Sequence, residues 1–240
     1  MARPSLSGSL SSADGKRQYV RTLFATIADR YDLITRFLSY GRDRAWKARL
    51  VEMSAAGPGV RALDLACGTG DIAFALADRG ARVVGLDITL RMLQLASAKA
   101  PAGSRVGYLA GDMMALPFAD RSFELVTTGY GIRNVPRIEP AIDEIHRVLR
   151  PGGLLLSLDF NRPDNALMRG IYLTYLTAVG SALGWVLHRD PDTYRYIPES
   201  IKRYPGATRV AGMFEERGFS DCRAIPLLGG LMAINMARKR

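Results

Sequence analysis

Apolar residues recur at helical spacing near the N-terminus, where Val20, Leu23, Phe24 and Ile27 share one face of a predicted helix over residues 18–32. A second amphipathic helix is predicted over residues 44–53, and the pair would cap the first strand. Gly57-Pro58-Gly59 closes this region. Strands and helices then alternate. Residues 60–65, 82–86, 106–109, 123–128 and 154–160 read as strands, and residues 72–79, 90–100 and 141–149 as helices. Such alternation predicts parallel strands joined by right-handed crossovers. After a helix at 207–217, strands at 219–226 and 231–237 flank Gly229-Gly230 and predict an antiparallel hairpin. The expected fold is α/β and Rossmann-like, a mostly parallel seven-stranded sheet with an antiparallel last strand.

Residues 166–187 are largely apolar over a membrane-spanning length. Arg169, Thr174, Thr177, Gly180, Ser181 and Gly184 interrupt the run, and their insertion costs argue for a packed helix or a lid instead. The expected organisation is a flexible tail over residues 1–17 and a single domain over 18–240. Within that domain, 18–56 form a helical cap and 161–205 a helical lid inserted after the fifth strand.

The chemistry concentrates where the first strand meets its helix, at Asp64-Leu65-Ala66-Cys67-Gly68-Thr69-Gly70-Asp71. Gly68 and Gly70 allow a ligand close to the backbone and permit φ values barred to other residues. The amides of the following helix start favour a carboxylate, such as the methionine end of S-adenosylmethionine. A dinucleotide fingerprint would need a third glycine, which is missing, so NAD is disfavoured. Asp87, ending the second strand, can accept both ribose hydroxyls, and Ile88 can pack on adenine. Asp112 and Met113 follow the third strand, where a carboxylate can accept from the adenine amino group.

In the 240 residues, Lys and Arg outnumber Asp and Glu by 33 to 23, giving a net charge of +10. That surplus suits an anionic partner. Cys67 and Cys222 form no disulfide framework and no metal-ligand spacing, so no metal is expected. The Ser- and Gly-rich start lacks the apolar core of a secretory signal.

Beyond the glycine turn, the chain resembles the quinone C-methyltransferase family of menaquinone and ubiquinone biosynthesis (the UbiE/MenG type), a group of class I S-adenosylmethionine-dependent methyltransferases. The resemblance runs from about Phe24 to Arg238. It rests on Ile27-Ala28-Asp29-Arg30-Tyr31-Asp32-Leu33, Trp46-Lys47, Ala115-Leu116-Pro117-Phe118, Tyr130-Gly131-Ile132-Arg133-Asn134-Val135, Leu149-Arg150-Pro151-Gly152-Gly153 and Tyr194-Arg195-Tyr196-Ile197-Pro198-Glu199-Ser200-Ile201. Gly-Ile-Arg-Asn and Tyr-Arg-Tyr followed by Glu-Ser-Ile are the most particular pieces. The resemblance implies transfer of a methyl group to a ring carbon of a polyprenylated hydroquinone. It places cofactor contacts on Thr69, Asp87, Asp112, Met113 and Gly129, beside Asp64, Gly68, Gly70 and Ile88. Gly129 departs from the serine often found there.

Arg133, Asn134 and Tyr31 are the expected catalytic residues. Arg133 cannot be an ordinary base, because a guanidinium does not release its proton; stabilising a phenolate or orienting a water is the credible role. His146 reads as structural and His188 as a helix-end residue, so no base is assigned. Expected partners are a polyprenyl quinol, an anionic membrane surface met peripherally and, as an option, a second copy of the chain. Nucleic acid is not expected. The implied location is cytoplasmic, against the inner face of the membrane, with Leu173 and Leu176 on the lid admitting the prenyl chain. Two rival readings stay open: a methyltransferase for a soluble aromatic or secondary metabolite, and a catalytically silent module binding RNA.

Overall fold

The computed structural model describes residue 8 and residues 12–240. Helix α1 spans Ala13–Ile27, and a 3-10 turn at Ala28–Arg30 leads into α2, Tyr31–Leu38. Residues 13–17, expected within the tail, are therefore helical. Ser12 caps the helix by accepting from the Gly15 amide at 3.0 Å, and Asp14 lies in the first turn, where the helix dipole favours an acid. The expected remainder of the tail, residues 1–7 and 9–11, lies outside the described residues. The expected single helix over 18–32 is in fact two, because the 3-10 turn redirects the chain after Ile27 and starts a new helix at Tyr31. Helix α3 covers Asp43–Met53.

The alternating units follow: β1 (Arg61–Leu65), α4 (Asp71–Asp78), β2 (Arg82–Asp87), α5 (Leu90–Lys99), β3 (Val106–Ala110), β4 (Phe123–Gly129), α6 (Ile138–Val148) and β5 (Leu149–Phe160). Strand β5 starts earlier than expected, since Phe123 of β4 pairs with Leu149 ahead of a register shift. Next come α7 (Ala166–His188), α8 (Tyr196–Arg203), α9 (Ala207–Glu216), β6 (Phe219–Leu227) and β7 (Met232–Lys239).

The seven strands lie in the order β3-β2-β1-β4-β5-β7-β6. All neighbours from β3 to β5 are parallel; β7 runs antiparallel to both β5 and β6, as the glycine-marked hairpin predicts. Strand order reverses between β1 and β4, the point at which open α/β sheets bind ligands beyond the strands' carboxyl ends. One apolar cluster joins α1–α4 and α7 to one sheet face through Leu23, Leu50, Leu76, Leu125 and Leu176. The other joins α6 and α9 to the opposite face through Leu63, Val126, Ile145 and Phe214.

Candidate active site

At the carboxyl end of β1 the chain reverses through Ala66, Gly68 and Gly70, with φ of 52°, 54° and 92°. Gly70 caps α4, and a Cβ there would stand 2.8 Å from the Phe74 ring, so only glycine fits. Asp87 holds the turn from the next strand, its carboxylate accepting from the Gly68 amide at 2.9 Å and the Thr89 amide at 2.8 Å. Burial raises the pKa of Asp87, while those two amides work against the rise. A carboxylate has about four acceptor positions, so two bonds leave capacity for a ligand's hydroxyls.

The turn opens on a cleft that brings together Tyr31, Gly68, Asp87, Ile88, Asp112, Met113, Gly129 and Asn134. Six of the nine expected cofactor residues thus share one wall, and Gly70 shapes the turn from behind. Gly129 has a local reason. A Cβ there would approach Ile72 Cδ1 to 2.7 Å.

Helix α1 closes the cleft from above with Val20 and Phe24. Its Arg17 Nε donates to Asp112 Oδ2 at 2.9 Å, while Asp112 Oδ1 accepts from the Met114 amide. Lys16 Nζ donates to the Arg133 and Val135 carbonyls at 3.1 and 2.6 Å. Burial, and then the Arg133 charge, lower the Lys16 pKa to about 8. Their Ser- and Gly-rich surroundings place both residues in the expected tail over residues 1–17. The only signal available was the helical register of Val20 and Leu23 extended backwards.

The remaining expected cofactor residues, Asp64 and Thr69, line an adjoining recess with Tyr31, Lys47, Asp71 and Tyr130. Thr69 donates to Asp32 at 2.7 Å. Lys47 pairs with Asp43 at 2.7 Å and Asp71 at 2.9 Å and lies 5.9 Å from the Tyr130 ring centroid. Burial disfavours the Lys47 charge, but the two carboxylates outweigh it and raise its pKa. Asp43 and Lys47, four apart on α3, form a pairing that the sequence shows by spacing.

Asp64 is buried. Thr127 Oγ1 donates to one of its oxygens at 2.8 Å, and the other has no partner among the described residues. Burial pushes its pKa up to about 7. A buried orphan oxygen beside a glycine cradle is the complement of an ammonium group, and the methionine end of S-adenosylmethionine carries one. The residues fit the cofactor: Asp64 and Lys47 for the amino-acid end, Asp87 for the ribose, Ile88, Asp112 and Met113 for the adenine. A pH dependence follows. Only ionised Asp64 attracts the ammonium, so cofactor affinity should rise from pH 6 to about 7.5, and Asp64→Asn should flatten the rise. Calorimetry across that range checks it; an unchanged slope in the variant would remove Asp64 from the recess.

Arg133 does not line the cofactor cleft. It lies in a 3-10 turn after β4 and faces an apolar chamber walled by Leu23, Ile34, Leu38, Phe160, Tyr194 and Ile197. Its Nε stands 3.3 Å from Asp159 at the end of β5, and its own amide donates to the same carboxylate at 3.0 Å. Nη1 donates to Ser200 Oγ at 3.1 Å, and the guanidinium lies 5.1 Å from the Phe160 ring centroid. Burial raises the Asp159 pKa; the Arg133 charge opposes it. Asn134 donates to the Tyr130 carbonyl at 2.7 Å and accepts from the Tyr196 hydroxyl at 3.0 Å. The Tyr194–Ile201 signature therefore delivers Tyr196 and Ser200 to this network, roles not legible from the signature itself.

Tyr31 lines the cleft, the recess and the chamber alike. Burial raises its pKa to about 12, so it stays a neutral hydroxyl at the junction. His146 packs edge-on against Phe219, and His188 shares a 2.8 Å hydrogen bond with the Tyr194 hydroxyl. Neither lines the cleft or the chamber.

Comparison with known proteins gives a consistent result. Residues 12–239 match the ubiE/COQ5 methyltransferase family. The chain is 39% identical to the ubiquinone/menaquinone biosynthesis C-methyltransferase UbiE of Paracoccus denitrificans, covering 93% of this chain and 92% of that one. It is 41% identical to the demethylmenaquinone methyltransferase of Thermus thermophilus, over 82% of this chain and 91% of that one. Among solved structures, a SAM-dependent methyltransferase from Thermotoga maritima superposes with a TM-score of 0.66 at 17% identity, covering 92% of this chain and all of that one.

Proposed function

The chain belongs to the ubiE/COQ5 methyltransferase family, and from that premise we propose that it methylates a ring carbon of a polyprenylated hydroquinone. The enzyme is an S-adenosylmethionine-dependent methyltransferase. One observation carries the substrate: an apolar chamber with a buried guanidinium meets the cofactor cleft at Tyr31. An aromatic ring fills the first feature, and a phenolic oxygen answers the second.

When bound, the cofactor supplies an activated sulfonium methyl group. The protein's part is alignment and electrostatics. Tyr31 and Phe24 separate the two chambers, exclude water and fix the ring's approach. Arg133 favours the deprotonated form of a phenolic hydroxyl, which puts electron density onto the ring carbon. Asp159 and Ser200 hold Arg133 in place, and Asn134 is held by Tyr130 and Tyr196 so that its amide stays at the chamber wall.

The test is a methyl-transfer assay with labelled cofactor on an extracted prenyl quinol, its oxidised quinone and a water-soluble phenol. Label should enter a ring carbon of the quinol alone. Turnover confined to the soluble phenol would replace this reading with that of a soluble-metabolite enzyme.

We also propose peripheral docking on an anionic membrane from the cytoplasmic side, through α7. This helix is long and apolar enough to cross a bilayer, yet only 22% of its most apolar window is buried. Leu167, Ile171, Trp185 and Val186 are each about two-thirds exposed or more. Arg169 turns back to the Pro163 and Asp164 carbonyls, leaving the outward face without formal charge. Exposed Arg162, Arg189 and Arg195 flank it. A helix with that distribution lies in the interface plane, its arginines towards lipid headgroups.

A further inference from the structure

Three neighbouring parallel strands start on, or directly after, an arginine. Arg61 opens β1 and Arg82 opens β2, where the two are register partners. Arg105 immediately precedes β3, and the pairing of Val83 with Val106 sets it beside Arg82. Parallel strands lie about 4.8 Å apart, and register partners project to the same face. The fold thus lines up three guanidiniums along one edge, at the end of the sheet opposite the cofactor cleft. They line a recess with Val83, Val84 and Phe123.

Like charges side by side on adjacent strands destabilise a sheet. The local acid does not relieve them all. Glu124 stands next to Arg61 in β4, accepting from the Arg61 amide at 2.8 Å and from its Nη2 at 3.3 Å. Its carboxylate also pairs with Arg150 at 2.6 Å. Glu124 is thereby shared between two cations. Arg82 and Arg105 are exposed and, among the described residues, their guanidiniums make no ion pair or hydrogen bond. The recess stays open because residues 111–122 link β3 to β4 without a helix, so Gly107 and Leu109 on the same strand face are exposed as well.

We propose that Arg61, Arg82 and Arg105 bind a phosphate-type oxyanion carrying at least two negative charges. Such a group meets guanidiniums with paired hydrogen bonds and cancels the repulsion built into the row. Its source is either a soluble anion such as pyrophosphate or a phospholipid headgroup. This site is independent of the methyl-transfer chemistry.

The test uses the full chain, melted in inorganic pyrophosphate and in sodium chloride of equal ionic strength. Pyrophosphate at ten times its Kd should raise Tm by about 3–6 °C, and chloride should not. Arg82→Gln and Arg105→Gln should abolish the pyrophosphate response and raise the anion-free Tm, because each removes a repelling neighbour. Unchanged cofactor affinity by calorimetry establishes that the variants are folded. For the headgroup source, pyrophosphate should displace part of the wild type's binding to phosphatidic-acid vesicles, and the variants should lack that pyrophosphate-sensitive part while keeping the binding through α7. Either response, lost in the variants, supports the site. Equal Tm shifts with chloride and pyrophosphate would reduce the row to ordinary screening, and a response retained in both variants would overturn it.

Discussion

Arg133→Ala should lower kcat by about 10²–10³ while leaving cofactor affinity nearly unchanged, because its guanidinium faces the apolar chamber and not the cofactor cleft. The variant should also lose stability. Arg133 and Asp159 are both buried, and removing one partner of a buried pair costs about 3–5 kcal/mol. The two effects can be separated. Arg133→Met combined with Asp159→Leu removes the orphan charge and should recover most of the stability in a urea titration, with turnover still lost. Recovery of turnover in the double variant would reduce Arg133 to a structural ion pair, and parallel losses of cofactor affinity and kcat would put it in the wrong chamber.

What could be read from the sequence was local. The glycine turn, the strand-end positions of Asp87 and Asp112 and the Gly229-Gly230 hairpin each lie within a few residues of the feature they specify. The partners of the reactive groups do not. Asp159 sits inside the apolar run of β5 and reads only as strand, yet it anchors Arg133 from 26 residues away. Arg17 reaches Asp112 across 95 residues, and Lys16 reaches Val135 across 119. Such pairings depend on which helix folds over which strand end, and spacing along the chain does not encode them. Composition misled at the N-terminus for a related reason. Ser12 and Gly15 look like tail residues, but together they make the cap that starts α1.

Helix α7 also shows why an apolar run must be resolved by face. Leu176, expected to admit the prenyl chain, is 1% exposed and belongs to the core beside Tyr172, with Leu173 packed against that core. The outward residues are Leu167, Ile171, Trp185 and Val186. Replacing Ile171 and Trp185 with Ser should therefore weaken binding to anionic vesicles by about 10²-fold or more, since each fully buried apolar side chain contributes about 1.5–3 kcal/mol. Thermal stability should hardly change, because these side chains face outward. Salt supplies the complementary measurement. The Debye length falls from about 10 Å at 0.1 M to about 3 Å at 1 M, which weakens the arginine contribution and spares the apolar one. The double variant should consequently keep a salt-sensitive remnant of vesicle binding, whereas the wild type retains binding at high salt. Activity should fall more on a long-tailed quinol presented in vesicles than on a short-tailed analogue in solution. Leu176→Ser is the control: it should lower Tm and reduce both activities alike. If Ile171→Ser with Trp185→Ser leaves vesicle binding intact, α7 is not the docking surface, and the basic residues elsewhere on the chain must hold the membrane.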